Sequence, residues 1–133
     1  MSTFALRIVT PEGEKYNGEA TKLSIRATDG DVGILANHAD YIAPVDICKA
    51  SIIDGEGKER LAVCGGGFVT FSKNKASLVC DTFVFLENID IDFVLKELKD
   101  VEEKLEQVKN QREKNILMSH KKRLDLQVEM IEQ

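Results

Sequence analysis

The chain carries two hydrophobic patterns in succession. Before residue 87, short segments alternate between apolar and polar residues, as in residues 21–27 (Thr-Lys-Leu-Ser-Ile-Arg-Ala), which predicts strands with one buried face. After this point, apolar residues recur every three or four positions, which predicts amphipathic helices. All nine glycines and both prolines lie at or before Gly67. The pattern therefore predicts a β domain, residues 1–86, followed by a helical domain, residues 87–133.

Turn signals divide the first domain into short segments. Pro11-Glu12-Gly13, Asp54-Gly55-Glu56-Gly57 and Asn74 mark reversals of the chain. Many short strands joined by glycine-containing turns are typical of a small β-sandwich or flattened barrel. We expect about ten short strands in this domain.

The predicted helical domain carries two apolar stripes. The first consists of Leu95, Leu98, Val101 (or Glu102), Leu105 and Val108, and the second of Leu117, Leu124, Val128 and Ile131. Asn88, Asp90 or Asp92 can cap the first helix. An antiparallel two-helix hairpin with a bend within residues 110–115 would bury both stripes. Because no glycine or proline enforces the bend, bent and straightened arrangements are expected to lie close in energy.

Charge is divided between the two predicted helices. Residues 87–106 hold eight acidic and three basic residues, whereas residues 109–123 hold six basic and one acidic. Antiparallel folding would bring the opposite charges together, and opening would free a basic helix for an acidic partner. The simpler interpretation is a solvated helix face whose ion pairs each contribute only ~0.3–0.5 kcal/mol.

Composition narrows the class of protein. A net charge of −5 and an isoelectric point near 5.1 argue against nucleic-acid binding, which depends on clustered positive charge. No apolar run approaches the ~20 residues that span a bilayer, and the first residues show no secretory signal. We therefore expect a cytosolic protein or one peripheral to a membrane. The odd number and wide spacing of Cys48, Cys64 and Cys80 predict buried free thiols rather than a zinc site or disulfides.

Residues 30–40 are the best sequence candidate for a presented contact surface. This stretch is too glycine-rich for a helix and too apolar for a free linker, and His38 follows on a predicted exposed loop. We interpret His38 as a surface or interface residue, because no nucleophile motif accompanies it as it would a catalytic base. His120 is predicted to be solvated.

The glycine triplet at residues 65–67 could suggest a phosphate loop. Such a loop joins a strand to a helix and is followed by Lys-Ser/Thr. Here the strand pattern continues through Phe68-Val69-Thr70-Phe71, so a bulge or tight bend is favoured. With no metal-ligand spacing and no catalytic motif, the residues favour a binding protein over an enzyme.

The chain resembles the epsilon subunit of rotary (F-type) ATP synthases, bacterial type, over essentially its whole length. The resemblance rests on residues 30–39 (Gly-Asp-Val-Gly-Ile-Leu-Ala-Asn-His-Ala), on residues 65–69 (Gly-Gly-Gly-Phe-Val), and on the strand-rich body followed by a charged two-helix tail. Ala36-Asn37 stands where many members carry Pro-Gly, and Ala39-Asp40 where many carry Ala-Pro. We therefore expect a differently shaped loop within the same family.

The resemblance implies a non-catalytic subunit of the central rotor stalk, which couples ion flow through the membrane c-ring to ATP synthesis or hydrolysis. In such proteins the β domain binds the gamma subunit and rests on the c-ring. The implied contact residues are Asp31, Gly33, His38, Gly66 and Phe68. The implied location is peripheral, at the cytoplasmic face of the bacterial inner membrane, with only indirect membrane contact and no nucleic acid.

The resemblance also implies a mobile tail. The helices would move between a folded hairpin and an extended form that reaches the alpha/beta catalytic head and inhibits ATP hydrolysis. The basic residues expected to meet an acidic segment of the beta subunit are Arg112, Lys114, Lys121, Lys122 and Arg123.

Some bacterial members of this family bind ATP through an Ile/Leu-Asp-x-x-Arg-Ala motif at the base of the first helix. Ile89 and Asp90 match its start, but Phe93 and Val94 replace Arg and Ala. Losing the Arg removes a bidentate phosphate donor. We expect weak or absent ATP binding, no other cofactor and no metal. The alternative function is a stand-alone ligand-binding β domain with a coiled-coil oligomerisation tail.

Overall fold

A computed structural model describes residues 2–132. The chain forms two compact units, and the boundary between them in the sequence lies between Phe85 and Leu86. The first unit holds all of the strands, and the second holds the two α-helices. The predicted class, a β-sandwich or barrel followed by a helical pair, is confirmed.

Seven strands form the β unit: β1 Phe4–Thr10, β2 Gly13–Ala27, β3 Gly30–Leu35, β4 Tyr41–Asp54, β5 Glu59–Ser72, β6 Lys75–Cys80 and β7 Phe83–Phe85. This is fewer than the expected ten or so. Strands β2, β4 and β5 are 15, 14 and 14 residues long. They continue through Gly18, Pro44 and Gly66, residue types that often mark turns. The strand count was therefore overestimated because long strands tolerate turn-favouring residues inside them.

Hydrogen bonding closes five strands into a ring. Neighbours run in the order β1-β6-β5-β4-β2, and β1 pairs back onto the first half of β2. The β1–β6 pairing is parallel and the other pairings are antiparallel. Strand β3 adds to the second half of β2, and β7 adds to β5. Each long strand therefore takes part in several ladders.

The core of the β unit fills this ring. Its largest fully buried side chains include Phe4, Phe71 and Phe83, and the rings of Phe4 and Phe71 meet edge to face at 5.6 Å. Cys48, Cys64 and Cys80 are buried and free, as predicted. A hydrogen bond with the Cys64 thiol, together with burial, raises the pKa of Cys48. The Cys48 thiol therefore stays neutral, and the three buried cysteines pack as small side chains in the core.

The glycine triplet lies within β5, as the continuing strand pattern predicted. Strand β5 pairs with β7 before the triplet and with β6 from Gly67 onward. Gly66 has φ +91, a conformation that side-chain-bearing residues rarely adopt, and its carbonyl accepts a hydrogen bond from Asp81 N at 3.0 Å. The backbone can therefore change partners here without ending the strand.

The helical unit begins with a 3₁₀ turn, Leu86–Asn88, followed by α1 (Ile91–Gln107) and α2 (Gln111–Glu132). Asp90 caps α1, because its Oδ1 accepts from Phe93 N at 3.2 Å. Asn110 caps α2, accepting from the backbone N–H groups of Arg112 at 2.8 Å and Glu113 at 3.3 Å. The break therefore lies at residues 108–110, earlier than the predicted range of 110–115 and overlapping it only at Asn110. No helix within residues 2–132 is long and apolar enough to cross a membrane.

The two helices pack through a small apolar cluster. It consists of Val94, Val101 and Leu124, with Ile89, Leu98, Leu105, Leu117 and Val128 packed against it. The prediction of Leu95 and Ile131 as stripe residues was wrong, since both are exposed, Leu95 by 50%. Positions 94, 98, 101 and 105 lie on one face at a period of 3.6 residues. The stripe of α1 therefore starts at Val94, one residue earlier than predicted.

Candidate functional site

One outer face of the β unit presents apolar side chains from three neighbouring strands. Pro44 of β4 pairs with Phe68 of β5, which in turn pairs with Val79 of β6, so the three stand side by side. Ile42 lies two residues from Pro44 and points to the same side. Ile42, Phe68 and Val79 are 71%, 54% and 56% exposed. We call these four residues the apolar row; contiguous exposed apolar residues of this kind mark interaction sites.

Sequence reasoning identified only Phe68 of this row. The other three could have been found from strand alternation. In β4, exposed Ile42 and Pro44 alternate with buried Ala43, and in β6, Val79 follows buried Leu78. The missed signal is an apolar residue at a position that the pattern assigns to solvent.

Asp31 and Gly33 lie on β3 beside a shallow depression of about 380 Å³. Gly33, Ser24 and Ser51 align across β3, β2 and β4, and these small residues leave the hollow. Lys22 and Lys49 also line it. Asp31 is exposed and lies 3.7 Å from Arg26 Nε. The depression therefore combines small residues with charges of both signs.

His38 is less exposed than predicted. Its ring packs edge to face on Tyr41 at 5.8 Å and on Phe71 at 5.7 Å, and its Nδ1 lies 2.7 Å from the carbonyl oxygen of Ala39. His38 lies three residues beyond the last residue of β3, Leu35, whereas Asp31 is the second residue of this strand. The structure therefore does not bring Asp31 and His38 together in one cluster, and the His38 ring is partly occupied by structural contacts.

Gly66 lies on β5 two residues before Phe68 and is partly buried. It offers no side chain, and its carbonyl is already bonded to Asp81 N. Of this pair, only Phe68 presents an exposed side chain, and Gly66 shapes the strand beside it.

The predicted basic residues of α2 differ in their surroundings. Arg112, Lys114 and Lys122 are exposed, and within residues 2–132 none of them forms an ion pair. Lys121 Nζ donates to Asp125 Oδ2 at 3.0 Å, and this hydrogen bond raises the pKa of Lys121.

Arg123, the last of the predicted basic residues, is half-buried. A groove lies along the same helical unit. The groove, of about 780 Å³, is bordered by Lys114, Lys121 and Lys122 and by the apolar Leu105 and Met118. The helical unit thus presents exposed cations beside apolar surface.

His120 is less solvated than predicted, although its side chain remains 40% exposed. It is half-buried, and its Nε2 lies 3.4 Å from Glu97 Oε2 on α1. The contact joins the two helices of the hairpin. The prediction failed because the antiparallel arrangement brings residue 120 opposite residue 97.

Residues of the partial nucleotide motif have structural roles in the helical unit. The Oδ1 atom of Asp90 serves as the cap of α1, and Ile89 packs against the apolar cluster. Val94 is buried and Phe93 is exposed. Among residues 2–132, no group of three or more His, Cys, Asp or Glu side chains could hold a metal ion.

A closed β unit with an exposed apolar row, joined to a capped helical hairpin, defines a two-unit protein whose most distinctive surfaces suit contact with other proteins. Residues 3–86 match the family model described as ATP synthase, Delta/Epsilon chain, beta-sandwich domain. The chain belongs to this family.

Curated relatives agree with this assignment, and the predicted family resemblance is confirmed. The sodium-ion-specific ATP synthase epsilon chain of Propionigenium modestum is 31% identical over 121 residues, which cover 91% of this chain and 86% of the relative. The ATP synthase epsilon chain of Levilactobacillus brevis is 36% identical over 68% of this chain, and this match spans 65% of the relative's own length.

Two mitochondrial ATP synthase structures share the fold. A chain in the OSCP/F1/c-ring structure from Euglena gracilis matches with a TM-score of 0.77 and 18% identity, covering 100% of this chain and 83% of that one. A chain in the central stalk/c-ring structure from Tetrahymena thermophila matches with a TM-score of 0.58 and 12% identity, covering 95% and 94%.

Proposed function

We propose that this protein is a non-catalytic subunit of the central rotor stalk of a bacterial ATP synthase. In this role it couples ion movement through a c-ring to ATP synthesis or hydrolysis in the catalytic head. The observation that carries the proposal is the apolar row, which lies on the part of the chain that matches the ATP synthase delta/epsilon family.

The apolar row is the proposed contact with the gamma subunit. Phe68 stands between Pro44 and Val79, so an aromatic side chain occupies the middle of the exposed surface. Aromatic residues at the centre of an interface often supply most of its binding energy. The direct test is co-purification of the full-length protein with its gamma subunit. Failure to associate, together with a stable homo-oligomer in sedimentation, would favour the alternative of a stand-alone domain with an oligomerisation tail.

The packing of the hairpin favours the rotor role over that alternative. A coiled-coil oligomer needs an apolar stripe that is open to a second chain. Here Val94, Val101 and Leu124 are buried within one chain's helical unit. The hairpin therefore covers its own stripe.

The depression beside β3 is the proposed contact with the c-ring. Asp31 and Gly33 lie at its edge, and small residues leave room for a polar loop of a partner. Both solved structures that share the fold carry the c-ring in their titles. This arrangement would hold the protein at the cytoplasmic face of the bacterial inner membrane, in contact with protein rather than lipid.

The basic surface of α2 is the proposed contact with the alpha/beta head. The exposed cations Arg112, Lys114 and Lys122 are available for an acidic partner. No glycine or proline interrupts residues 107–111. The break consists only of an extended backbone at Val108, which ends α1, and of the Asn110 cap, which starts α2. This weak break would let the tail leave the hairpin and inhibit ATP hydrolysis.

Reversing the charge of this surface is expected to relieve inhibition. We expect the double variant Arg112→Glu/Lys122→Glu to raise ATP hydrolysis by the reconstituted complex several-fold, because the acidic segment would then repel the tail. The control is Lys96→Glu/Lys99→Glu, which makes the same change in net charge on exposed positions of α1. Equal hydrolysis rates for the wild-type and both variant complexes would refute a regulatory role of α2.

Calorimetry is expected to detect no saturable ATP binding at ATP concentrations below about 1 mM. A dissociation constant above this value corresponds to a binding free energy weaker than ~4 kcal/mol. The physical reason is the missing guanidinium, since Phe93 stands where the motif carries Arg. The matched variant is Phe93→Arg, which is tolerated because Phe93 is exposed. Micromolar affinity in the wild-type protein would contradict this proposal, and binding gained by the variant would support it.

A further inference from the structure

A second feature of the same sheet face is a depression lined by hydroxyl groups and cations. It measures about 510 Å³, and its polar lining residues are Arg7, Asn17, Thr70, Ser72, Lys75 and Ser77. We call it the polar depression. Strand pairing explains the composition, because Asn17, Arg7, Ser77 and Thr70 align in one row across β2, β1, β6 and β5. Lys75 and Ser72 pair with each other in the next row.

The polar depression carries excess positive charge. Arg7 Nε donates to Glu14 Oε2 at 2.7 Å, and this hydrogen bond lowers the pKa of the Glu14 carboxyl. Glu14 therefore remains ionised and engages one edge of the guanidinium, which has further N–H donors. Lys75 is exposed and forms no ion pair within residues 2–132. Two cations thus face one carboxylate, on a chain whose net charge is −5.

The polar depression is continuous with the apolar row. Ile42 pairs with Thr70, and Val79 lies two residues from Ser77 along β6. Two residues of a strand span about 7 Å. One partner segment that covers the apolar row would therefore also reach the polar depression.

We propose that the polar depression binds a carboxylate side chain of the gamma subunit, carried about 7 Å from the apolar residues that cover Phe68 and Val79. The inference rests on the proposed function and adds the chemistry of the partner. The apolar row would supply most of the affinity. The carboxylate would fix the orientation, because a misplaced acidic group would meet the surface of an acidic protein.

The test is the salt dependence of gamma binding by the full-length protein. Between low and high salt, the wild-type affinity is expected to fall as the carboxylate contact is screened. The double variant Arg7→Gln/Lys75→Gln is expected to bind about tenfold more weakly at low salt and to show a flatter salt dependence. Arg7→Lys/Lys75→Arg keeps both charges and should retain the wild-type salt dependence.

The matched control is Arg26→Gln/Lys58→Gln. It also removes one arginine that has a carboxylate partner and one exposed lysine, but outside this depression. We expect it to keep the wild-type salt dependence. If Arg7→Gln/Lys75→Gln also binds gamma with the wild-type salt dependence, the inference is wrong, while the proposed binding of gamma still stands. If wild-type protein does not bind gamma at all, the proposed function fails first, and this inference fails with it.

A carbodiimide, which joins an amine and a carboxylate with loss of water, gives a direct second measurement. It should couple Lys75 to an acidic residue of gamma in the assembled complex. The cross-link should disappear in Lys75→Gln and persist in Lys58→Gln. Cross-linking of gamma only to lysines outside the depression would overturn the inference.

Discussion

Replacing Gly67 with alanine is expected to destabilise the β unit by about 3 kcal/mol or more. A Cβ atom at this position would lie 2.0 Å from the carbonyl oxygen of Val79 and 2.6 Å from the Cα of Cys80. Both atoms belong to the backbone of the neighbouring strand, so no side-chain rotation can relieve the overlap. Strands β5 and β6 would have to separate at their first shared pair, between Gly67 and Cys80.

The three buried cysteines provide a readout specific to the β unit. Cys48, Cys64 and Cys80 all lie in its core, and the helical unit contains no cysteine. Labelling of the thiols as a function of urea concentration would therefore follow the opening of this unit alone. We expect the labelling midpoint of Gly67→Ala to fall well below that of the wild-type protein.

Gly18→Ala is the matched control for this substitution. Gly18 also lies within a long strand, but a Cβ there would meet only the Tyr16 ring, at ordinary contact distances of 3.8 Å or more. Its unfolding free energy should change little or rise slightly, because alanine restricts the unfolded chain. Equal midpoints for Gly67→Ala and Gly18→Ala would contradict the close approach of β5 to β6.

Replacing Phe68 with serine is expected to weaken binding to the gamma subunit by about 2 kcal/mol, or ~30-fold. Phe68 is the largest side chain of the apolar row and has an exposed neighbour on either side, Pro44 and Val79. Covering this ring would remove more apolar surface from water than covering either neighbour. Because Phe68 is already half-exposed, its loss should scarcely change the stability of the β unit. Titration of gamma against the full-length protein, followed by calorimetry, would measure the effect.

Leu35→Ser separates a specific contact from a general loss of apolar surface. Leu35 is 53% exposed, almost equal to Phe68 at 54%, but it lies on β3 and outside the apolar row. We expect this control to bind gamma with wild-type affinity. Similar losses in the two variants would show that the apolar row is not the contact.

The features predicted correctly from the sequence are those that depend on local periodicity. The alternation around Leu23 and Ile25 and the three-to-four spacing after residue 87 each follow from the geometry of a single element. The buried free cysteines were predicted on another basis, from their odd number and wide spacing, which argue against disulfides and a zinc site. The error at Leu95 is a shift of one residue along the helix. Val94 and Leu95 are both apolar, and which of them is buried depends on the position of the facing helix.

Contacts between distant segments of the chain could not be predicted from the local sequence pattern. Phe68 was identified, but its neighbours Pro44 and Val79 lie 24 and 11 residues away, and only the strand register joins them. The contact between His120 and Glu97 likewise requires the hairpin. Long-range register is set by the whole core, so no local window of sequence contains it.

The closed ring of strands has a mechanical consequence. A strand at an open edge can be peeled away one hydrogen bond at a time, whereas β5 is flanked by β4 and β6 and must shear both ladders together. Lateral load applied at Phe68 would therefore spread around the ring instead of detaching one strand. Within residues 2–132, β3 and β7 each pair with a single strand, so these two would yield first. In the proposed rotor role this order of failure would be an advantage, because the strands around Phe68 would be the last to yield.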